Sequence, residues 1–474
     1  MVEDEITYRI HREFPFTPTC EQNNAIQTFA RFATSCAPHS AMILRGSAGT
    51  GKTALAGAIV RAMKGLQQKV VLLAPTGRAA KVFALNSGHE AFTIHRRIYR
   101  ERSFDGPSGL FNLNDNLFRD TLFIVDEASM ISNQGHESTS FGSGRLLDDL
   151  IHYVYQGRND RLLLIGDKAQ LPPVGESESP ALQSAVLRAY GLDVSECDLT
   201  EVLRQGEGSG ILWNATSVRN LIPTAGDMQI ELPKVSLQNF TDISVVPGSE
   251  LIDSLGSSYA SAGMDDTIVI TRSNKRANIY NQGIRNTILD REELLTTGDI
   301  LMVVRNKYLD PELKAPVPFI ANGDRGVVRR VSNYRDLYGF HFADVTLEFP
   351  DYDDFELETT VILDTLTSES PALTREQNDK LFNAVMEDYA DVPLKKDRMK
   401  QMREDSYYNA LQVKFGYAVT CHKAQGGQWS DVYIDQGYMT DEMLTPDYLH
   451  WLYTAFTRAT RHLYLVNWPE KQIQ

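Results

Sequence analysis

The sequence predicts an α/β protein built on parallel sheets, and two observations support this fold class. A Gly-rich loop, RGSAGTGKT at 45–53, stands between a short apolar run at 41–44 and a helical pattern at 53–64. Further apolar runs of strand length end in polar, Gly or Pro residues, as buried parallel strands do. They are VVLLAP at 70–75, TLFIVDEASM at 121–130 and RLLLIGDKAQLPPVG at 161–175. We therefore expect a doubly wound α/β domain in the first half of the chain.

The composition excludes several classes of protein. A chain of 474 residues with 42% hydrophobic and 23% charged residues is typical of a globular protein of two to four domains. No apolar run approaches membrane-spanning length and the start, MVEDEITYRI, is unlike a signal peptide, so we expect a cytoplasmic protein that binds no membrane. The four cysteines form no C-x-x-C pair, which indicates neither a zinc site nor a disulfide framework. The net charge of -15 argues against bulk coating of nucleic acid but permits a local basic channel.

The Gly-rich loop matches the phosphate-binding pattern G-x-x-x-x-G-K-[ST] through Gly46, Gly51, Lys52 and Thr53. Its glycines allow consecutive backbone N–H groups to turn toward a phosphate, and the helix that follows points its positive end at the same place. Lys52 adds a full charge, and Thr53 is placed to hold Mg²⁺. The alternative is a Gly-rich turn without a ligand. The strand-loop-helix context favours an NTP site, whose loop also includes Ala48, Gly49 and Thr50.

Polar side chains follow two of the predicted strands, where ligands bind in an open α/β sheet. Asp126 and Glu127 come directly after the strand FIV. One carboxylate can hold Mg²⁺, while its neighbour can orient and deprotonate the attacking water. After the next strand, Gln170 is placed where its amide could sense a γ-phosphate. Upstream, the stretch 16–33 has the pattern of a capped helix, with Gln22 at its start.

Three segments depart from the simple α/β pattern. Between 93 and 120, the turn residues of DGPSG at 105–109 predict an inserted hairpin. From about Asp198 a second α/β domain begins, with a strand at 267–274 and a helix at 275–285. Within it, short alternating runs from about 304 to 413 predict a small β barrel or hairpin sheet, followed by a helix that Thr374 and Gln377 cap. The basic run at 395–403 could contact phosphates or form a solvated helix face. No chemistry is assigned to 132–145 or 220–246.

Several of these stretches resemble the ordered motifs of one family. They are RGSAGTGKT, LLAPTGRAAK, TIHR, IVDEASM, LIGDKAQLPPVG, LTEVLRQ, VTCHKAQGGQWSDVYI and LYTAFTRATRHLYLV. Together they resemble the motif series of the superfamily 1 helicases, and TIH with GDKAQLPPVG is most similar to the RecD/Dda-type, 5′→3′ branch. The resemblance runs in one order from Gln22 to Val466.

The resemblance implies two RecA-like P-loop domains with ATP and Mg²⁺ bound in the cleft between them. The implied boundaries are 1–197 for the first domain, with a hairpin insertion at about 97–119. The second domain then comprises 198–303 and 414–474, and an SH3-like module with helices occupies 304–413. Arg204 and Arg458 match the family's two arginine fingers, which complete a site containing Lys52, Glu127 and Gln170 only when the cleft closes. From the residues alone, Arg204 could instead cap a helix and Arg458 could pair with an acidic residue.

The resemblance also implies a nucleic-acid track across both domains. Its residues are Pro75, Thr76, Arg78, Thr93 and His95 from the first domain and Thr420, His422, Lys423 and Gln425 from the second. Hydroxyls, amides and helix starts suit a grip on the sugar-phosphate backbone that ignores the bases. Gln22 matches a glutamine that reads adenine. Phe104 or Phe111 is the candidate pin that stacks on the last base pair, although both rings could instead pack on the hairpin base.

We therefore expect an ATP-dependent DNA helicase that moves 5′→3′ along single-stranded DNA, acts at single-strand/duplex junctions and is active as a monomer. The direction comes from the resemblance alone. Two alternatives remain open. One is an RNA or RNA-DNA unwinding translocase, because a backbone grip discriminates sugars poorly. The other is a DNA-stimulated ATPase that remodels or loads partners without unwinding. Protein partners and the biological pathway are not indicated.

Overall fold

The computed structural model describes residues 2–103, 110–135, 141–202, 208–223, 230–309, 313, 315–316 and 319–474. The strands are β1 (Ser40–Gly46), β2 (Lys69–Ala74), β3 (Ala91–Thr93), β4 (Tyr99–Ser103), β5 (Leu110–Leu113), β6 (Thr121–Val125), β7 (Arg161–Gly166), β8 (Asp193–Leu199), β9 (Ile243–Val246), β10 (Thr267–Thr271), β11 (Ile300–Val303), β12 (Lys307–Tyr308), β13 (Phe319–Ile320), β14 (Arg325–Leu337), β15 (Phe340–Phe349), β16 (Phe355–Ile362), β17 (Leu411–Phe415), β18 (Ala418–Thr420), β19 (Trp429–Asp435) and β20 (Ala459–Val466). The helices are α1 (Val2–Glu13), α2 (Cys20–Thr34), α3 (Lys52–Gly65), α4 (Gly77–Ser87), α5 (Ile94–Ile98), α6 (Leu146–Gln156), α7 (Ser184–Ala189), α8 (Gly210–Asn220), α9 (Leu251–Ser261), α10 (Asn274–Gly283), α11 (Arg375–Asp388), α12 (Lys395–Glu404), α13 (Cys421–Ala424) and α14 (Pro446–Phe456).

The first sheet has six parallel strands in the order β3-β2-β6-β7-β1-β8. Alternate residues along each strand face opposite sides of the sheet, so its apolar strands fill two cores. Met42 and Leu44 pack with α1, α2 and α3 on one face, whereas Ala41 and Ile43 pack with α5 and α6 on the other. This arrangement confirms the predicted α/β class, with a parallel sheet flanked by helices.

The second sheet has five parallel strands in the order β18-β10-β19-β20-β9. The helices α8 and α14 cover one face. The other face shares a core with α9 and α10 and with a closed barrel. Since the core of α14 also contains Ala169 and Leu171, which follow β7, the two sheets are joined through a buried seam.

The barrel consists of β11, β14, β15, β16 and β17. The sequence predicts a small barrel at 304–413, but β11 starts at Ile300 and β17 ends at Phe415. These two strands pair with each other, Leu301 opposite Phe415, and so close the barrel at the edges of the predicted segment. The helix α11 follows the barrel strand β16, and its capping box between Thr374 and Gln377 is present as predicted.

Some elements have no counterpart in the sequence prediction. The helix α1 packs on α2 and α3, and β8 adds an edge strand beside β1. The predicted domain boundary at 197/198 falls inside β8, which ends at Leu199. Ser195 and Glu196 are consecutive polar residues in β8, so the strand shows neither a continuous apolar run nor a strict alternation. Among the described residues, no helix is long and apolar enough to cross a membrane.

Candidate nucleotide site and nucleic-acid interface

The phosphate loop connects β1 to α3 by a turn that its glycines permit. Gly49 and Gly51 have φ values of 78° and 81°, in the left-handed region that a residue with a Cβ rarely adopts. Gly46 allows the lysine to approach, because a Cβ at this position would lie 2.8 Å from the Cγ atom of Lys52. The helix α3 then starts at Lys52, with the exposed Thr53 in its first turn.

Lys52 reaches back over the loop. Its Nζ atom donates to the carbonyl oxygens of Gly46 at 2.5 Å and Ser47 at 2.8 Å. It also lies 4.0 Å from Oδ2 of Asp167, a buried residue directly after β7. The lysine charge is therefore held at the mouth of the loop, between β1 and β7.

The two carboxylates that are predicted to bind the metal and to activate the water lie directly after β6. Asp126 accepts a hydrogen bond from the backbone N–H of Glu127 at 2.9 Å. Glu127 has a φ of 51°, so the backbone turns sharply at this residue. Burial, and secondarily the charge of Glu127, raises the pKa of Asp126. A bound cation would relieve this cost, and one or two carboxylates with a hydroxyl are the donors that Mg²⁺ takes beside a phosphate. Asp126 and Thr53 therefore fit the predicted magnesium site.

Gln170 follows β7, and Gln22 contacts the phosphate loop. Gln170 is buried, and its Oε1 atom has no hydrogen-bond partner within the part of the chain that the structure describes. A buried amide oxygen without a partner fits a ligand or water that completes the site. The Oε1 atom of Gln22 accepts from Thr19 N at 3.0 Å in a capping box, and its Nε2 atom donates to Thr50 O at 2.9 Å. In this structure Gln22 thus tethers the loop, and its reading of adenine stays a prediction.

The seam brings α14 of the second sheet onto the segment after β7. Leu171 N donates to Thr454 Oγ1 at 2.7 Å, and Ala169 O lies 2.9 Å from His450 Nδ1. The hydroxyl of Tyr453 contacts both Asp167 and the phosphate loop. The sequence prediction missed these residues. Tyr453 and Thr454 belong to the motif LYTAFTRATRHLYLV, in which only Arg458 was singled out.

The structure does not place the predicted arginine finger Arg458 at the phosphate loop. We call the part of the molecule with the first sheet the first half and the part with the second sheet the second half. Arg458 is buried in the second half. It donates to the carbonyl oxygens of Thr454 at 3.0 Å and Gly427 at 3.2 Å, which belong to the same half. Among the described residues, Arg458 forms no ion pair with an acidic residue, which was the alternative interpretation. Arg204 lies outside the described residues, in the gap 203–207. Their roles as fingers remain predictions.

Part of the predicted nucleic-acid track converges on one pocket at the junction of both sheets and the barrel. Thr76, Arg78, Lys423 and Gln425 line it, as predicted. The pocket also includes residues that the sequence prediction missed, namely Ile268, Met302, Gly323, Arg325, Val419, Gly427 and Trp429. Thr76 caps α4 by accepting from Ala79 N at 3.2 Å, and this bond fixes the start of the helix that carries Arg78.

Three cationic side chains line the pocket, and within the described part of the chain none of them forms an ion pair with a carboxylate. Burial, and secondarily the charge of Arg325, lowers the pKa of Arg78 to about 10. Burial also lowers the pKa of Lys423 to about 8, and within the described residues its Nζ atom has no hydrogen-bond partner. Arg78 stacks 4.2 Å from the Trp429 ring centroid and donates to Gln428 O at 2.7 Å, so it spans the two halves. Cations whose charged form is disfavoured by burial favour an anionic ligand such as a phosphate.

The other predicted track residues do not line this pocket. Thr93 caps the short helix α5, while Pro75, Thr420 and the exposed His422 lie beside pocket residues in sequence. The ring of His95 packs 5.1 Å from Phe141 and 5.6 Å from Tyr99, and burial lowers its pKa to about 4. Gln425 lines the pocket, but its Nε2 atom donates to Leu171 O at 2.8 Å. The amide therefore belongs to the seam as well as to the pocket.

Two antiparallel strands, β4 and β5, lie in the segment for which a hairpin is predicted, and Phe111 belongs to β5. Phe111 is 9% exposed, and its ring stacks 4.8 Å from that of Phe141. This packing corrects the assignment of Phe111 as a pin, since a ring buried against Phe141 does not present its face to a base pair. Phe104 lies outside the described residues. Phe141, in a loop to which no chemistry was assigned, therefore braces the hairpin.

Comparisons with known proteins place these features in a family. A model of an AAA domain matches residues 19–221, and a model of a UvrD-like helicase C-terminal domain matches 415–466. The ATP-dependent RecD2 DNA helicase of Deinococcus radiodurans is 24% identical over 432 residues, covering 89% of this chain and 46% of the relative. The ATP-dependent DNA helicase dda of Enterobacteria phage T4 is 31% identical over 180 residues, covering 37% of each chain. A Pif1 helicase from Bacteroides in complex with ADP-AlF3 and ssDNA superposes with a TM-score of 0.47 at 14% identity, covering 96% of this chain and 94% of that one.

The chain spans less than half of the length of the two curated relatives. The two family models nevertheless match in order, and together they cover more than half of the chain. The first contains the phosphate loop and the carboxylates, and the second contains Lys423, Tyr453 and Arg458. These matches support the resemblance to the superfamily 1 helicases of the RecD/Dda type.

Proposed function

We propose that the protein is an ATP-dependent DNA helicase that moves 5′→3′ along single-stranded DNA and separates duplex ahead of it. The observation that carries the proposal is the seam between the two halves. Gln425 lines the cationic pocket and donates to Leu171 O, and Leu171 directly follows the predicted phosphate sensor Gln170. A change at the phosphate loop can therefore reach the pocket through adjacent residues. The names of the RecD2 and dda relatives support the same activity.

In this proposal, Lys52 and the loop amides bind the phosphates of ATP, and Thr53 with Asp126 holds Mg²⁺. The metal supplies positive charge that offsets the charge developing on the transferred phosphoryl group. Glu127 orients and deprotonates the attacking water, and Gln170 senses the γ-phosphate. Arg458 and Arg204 complete the site from the other half. Because Arg458 is bonded to Thr454 O and Gly427 O, it must leave these carbonyls before it can act.

The cationic pocket is the proposed place where the strand is gripped. Arg78 comes from the first half, Lys423 from the second and Arg325 from the barrel, so all three parts hold one strand. Such contacts bind phosphates without reading bases, and this suits a protein that must move along any sequence. The remaining predicted track residues then extend the grip along the same face.

The inserted elements have proposed roles as well. We assign 97–119 as the hairpin that splits the duplex and 304–413, extended to the barrel edges at Ile300 and Phe415, as the SH3-like module. The barrel contacts the first half through Lys81, whose Nζ atom donates to Pro350 O at 2.7 Å. A braced barrel would enclose the strand beside the pocket. We further propose that one chain suffices for activity, since each proposed functional element belongs to the same chain.

Stimulation of ATP turnover by single-stranded DNA tests the proposal. We expect turnover to rise on addition of DNA, and the rise to be lost in Lys423→Gln, because the pocket then lacks an unpartnered cation. The stimulation should also fall as pH rises through about 8, since the Lys423 ammonium loses its proton above its pKa. The measurement is steady-state phosphate release with and without DNA, at several salt concentrations.

Lys275→Gln is the matched control, because this exposed lysine lies on α10 outside the pocket. Single-stranded RNA of the same sequence provides the comparison of sugars. Equal stimulation by RNA would favour the alternative of an RNA translocase. Turnover that ignores both nucleic acids would contradict the proposal.

A further inference from the structure

The hydroxyl of Tyr453 bridges the phosphate loop and the segment after β7. It accepts a hydrogen bond from Ala48 N at 2.8 Å and donates one to Asp167 Oδ2 at 2.6 Å. Tyr453 belongs to α14, on the other side of the seam, and both it and Asp167 are at most 2% exposed. One oxygen atom thus joins three parts of the chain that are distant in sequence.

The bridge is chemically well defined. Burial, followed by the charge of Asp167, raises the pKa of Tyr453 well above its usual value, so the hydroxyl keeps its proton and can donate. Its lone pairs accept from Ala48. The same Asp167 Oδ2 atom lies 4.0 Å from Lys52 Nζ, the charge that a phosphate would need.

Ala48 belongs to the loop whose backbone N–H groups are expected to turn toward phosphate oxygens. In the structure, its N–H donates to a phenol oxygen instead. Lys52 Nζ is similarly occupied by the loop carbonyls of Gly46 and Ser47. These two donors of the loop are therefore bonded to protein acceptors, and a bound phosphate must take them from those acceptors.

We propose that the Tyr453 hydroxyl competes with nucleotide phosphate for the phosphate loop, and that nucleotide binding thereby releases α14 from the loop. This inference rests on the proposed function for the identity of the ligand. The release reaches the predicted finger, because Thr454 is the next residue and its carbonyl holds the guanidinium of Arg458. Tyr453 is thus a positioning residue that couples occupancy of the loop to the state of the second half.

The competition gives a result that structural damage does not. A variant that only damages the site binds nucleotide more weakly. Tyr453→Phe keeps the ring and its packing but removes the acceptor of Ala48 N–H, so nucleotide no longer has to displace it. We expect it to bind ADP and a non-hydrolysable ATP analogue roughly three- to tenfold more tightly than wild type, which corresponds to about one net hydrogen bond.

Tyr448→Phe is the matched control. Tyr448 is a second buried tyrosine of α14, and its hydroxyl also makes two hydrogen bonds, with Gln436 at 2.7 Å and Gln472 at 3.0 Å. Both partners lie in the second half, so nucleotide affinity should match that of wild type. Amide hydrogen exchange of the peptide containing Ala48 provides a second readout. Without nucleotide, it should be faster in Tyr453→Phe than in Tyr448→Phe or wild type.

The measurement is a fluorescence titration with labelled ADP and the ATP analogue, on full-length variants whose melting temperatures are also recorded. Tyr453→Met serves as a second variant without the hydroxyl if Tyr453→Phe is unstable. Tighter binding together with faster exchange supports the competition. Unchanged or weaker binding in both variants, with a wild type that binds nucleotide, overturns it and leaves the proposed function intact. A wild type that binds no nucleotide would instead overturn the proposed function.

Discussion

Replacing Lys52 by alanine is expected to abolish ATP turnover, with a loss of about a hundredfold or more. Its ammonium is placed over the loop, bonded to Gly46 O and Ser47 O and 4.0 Å from Asp167. No other lysine or arginine contact with the loop is seen among the described residues, so the variant would lose the main positive charge in the first half of the site. Phosphate release in the presence of single-stranded DNA measures the effect.

Lys64→Ala is the control for this substitution. Lys64 lies in the last turn of the same helix α3, is exposed, and has its Nζ atom 3.0 Å from His89 Nδ1. Its removal tests whether any loss of a lysine in α3 lowers turnover. Near-normal turnover in Lys52→Ala would show that the loop is not the phosphate site.

Glu127→Gln is expected to bind Mg-ATP but hydrolyse it about 10²- to 10⁴-fold more slowly. The amide has nearly the same size as the carboxylate and keeps the backbone N–H that bonds Asp126. The glutamine must adopt the same φ of 51°, so the variant has the same kind of backbone strain at this position as wild type. What is lost is the ability to take a proton from water. Nucleotide affinity by fluorescence and single-turnover hydrolysis separate binding from chemistry.

For Glu127→Gln, the matched control is Glu178→Gln, an exposed glutamate of the first half whose Oε2 atom accepts from Gln183 at 3.1 Å. It should hydrolyse ATP at the wild-type rate. If Glu127→Gln also turned over normally, another group would have to activate the water. If it instead lost nucleotide binding, Glu127 would belong to the metal site.

The parts of the fold that could be predicted are those with a local physical cause. The phosphate loop follows from its glycines, and β1, β6 and β7 follow from continuous apolar runs between polar ends. The capping box at Thr374 and the barrel strands β14, β15 and β16 also follow from short patterns. The edge strand β8 does not, because the consecutive polar residues Ser195 and Glu196 interrupt both an apolar run and a strict alternation.

The seam could not be predicted, because its contacts depend on how two separately folded sheets dock. Tyr453 and Asp167 are 286 positions apart, and each has an ordinary sequence context. Arg325 enters the cationic pocket only because the barrel lies against both halves. Conversely, the motif assigned Arg458 to the phosphate loop, whereas in the structure its guanidinium bonds to nearby carbonyls. A motif identifies the residue type, but the docked arrangement decides what it contacts.

The central claim is that ATP turnover at the phosphate loop drives separation of duplex DNA. Strand displacement on two duplexes, one with a single-stranded 5′ tail and one with a 3′ tail, tests it most directly. We expect wild type to open the 5′-tailed duplex in the presence of Mg-ATP, to leave the 3′-tailed duplex closed, and to open neither when Lys52 is alanine. DNA-stimulated turnover without opening of either duplex would contradict the claim.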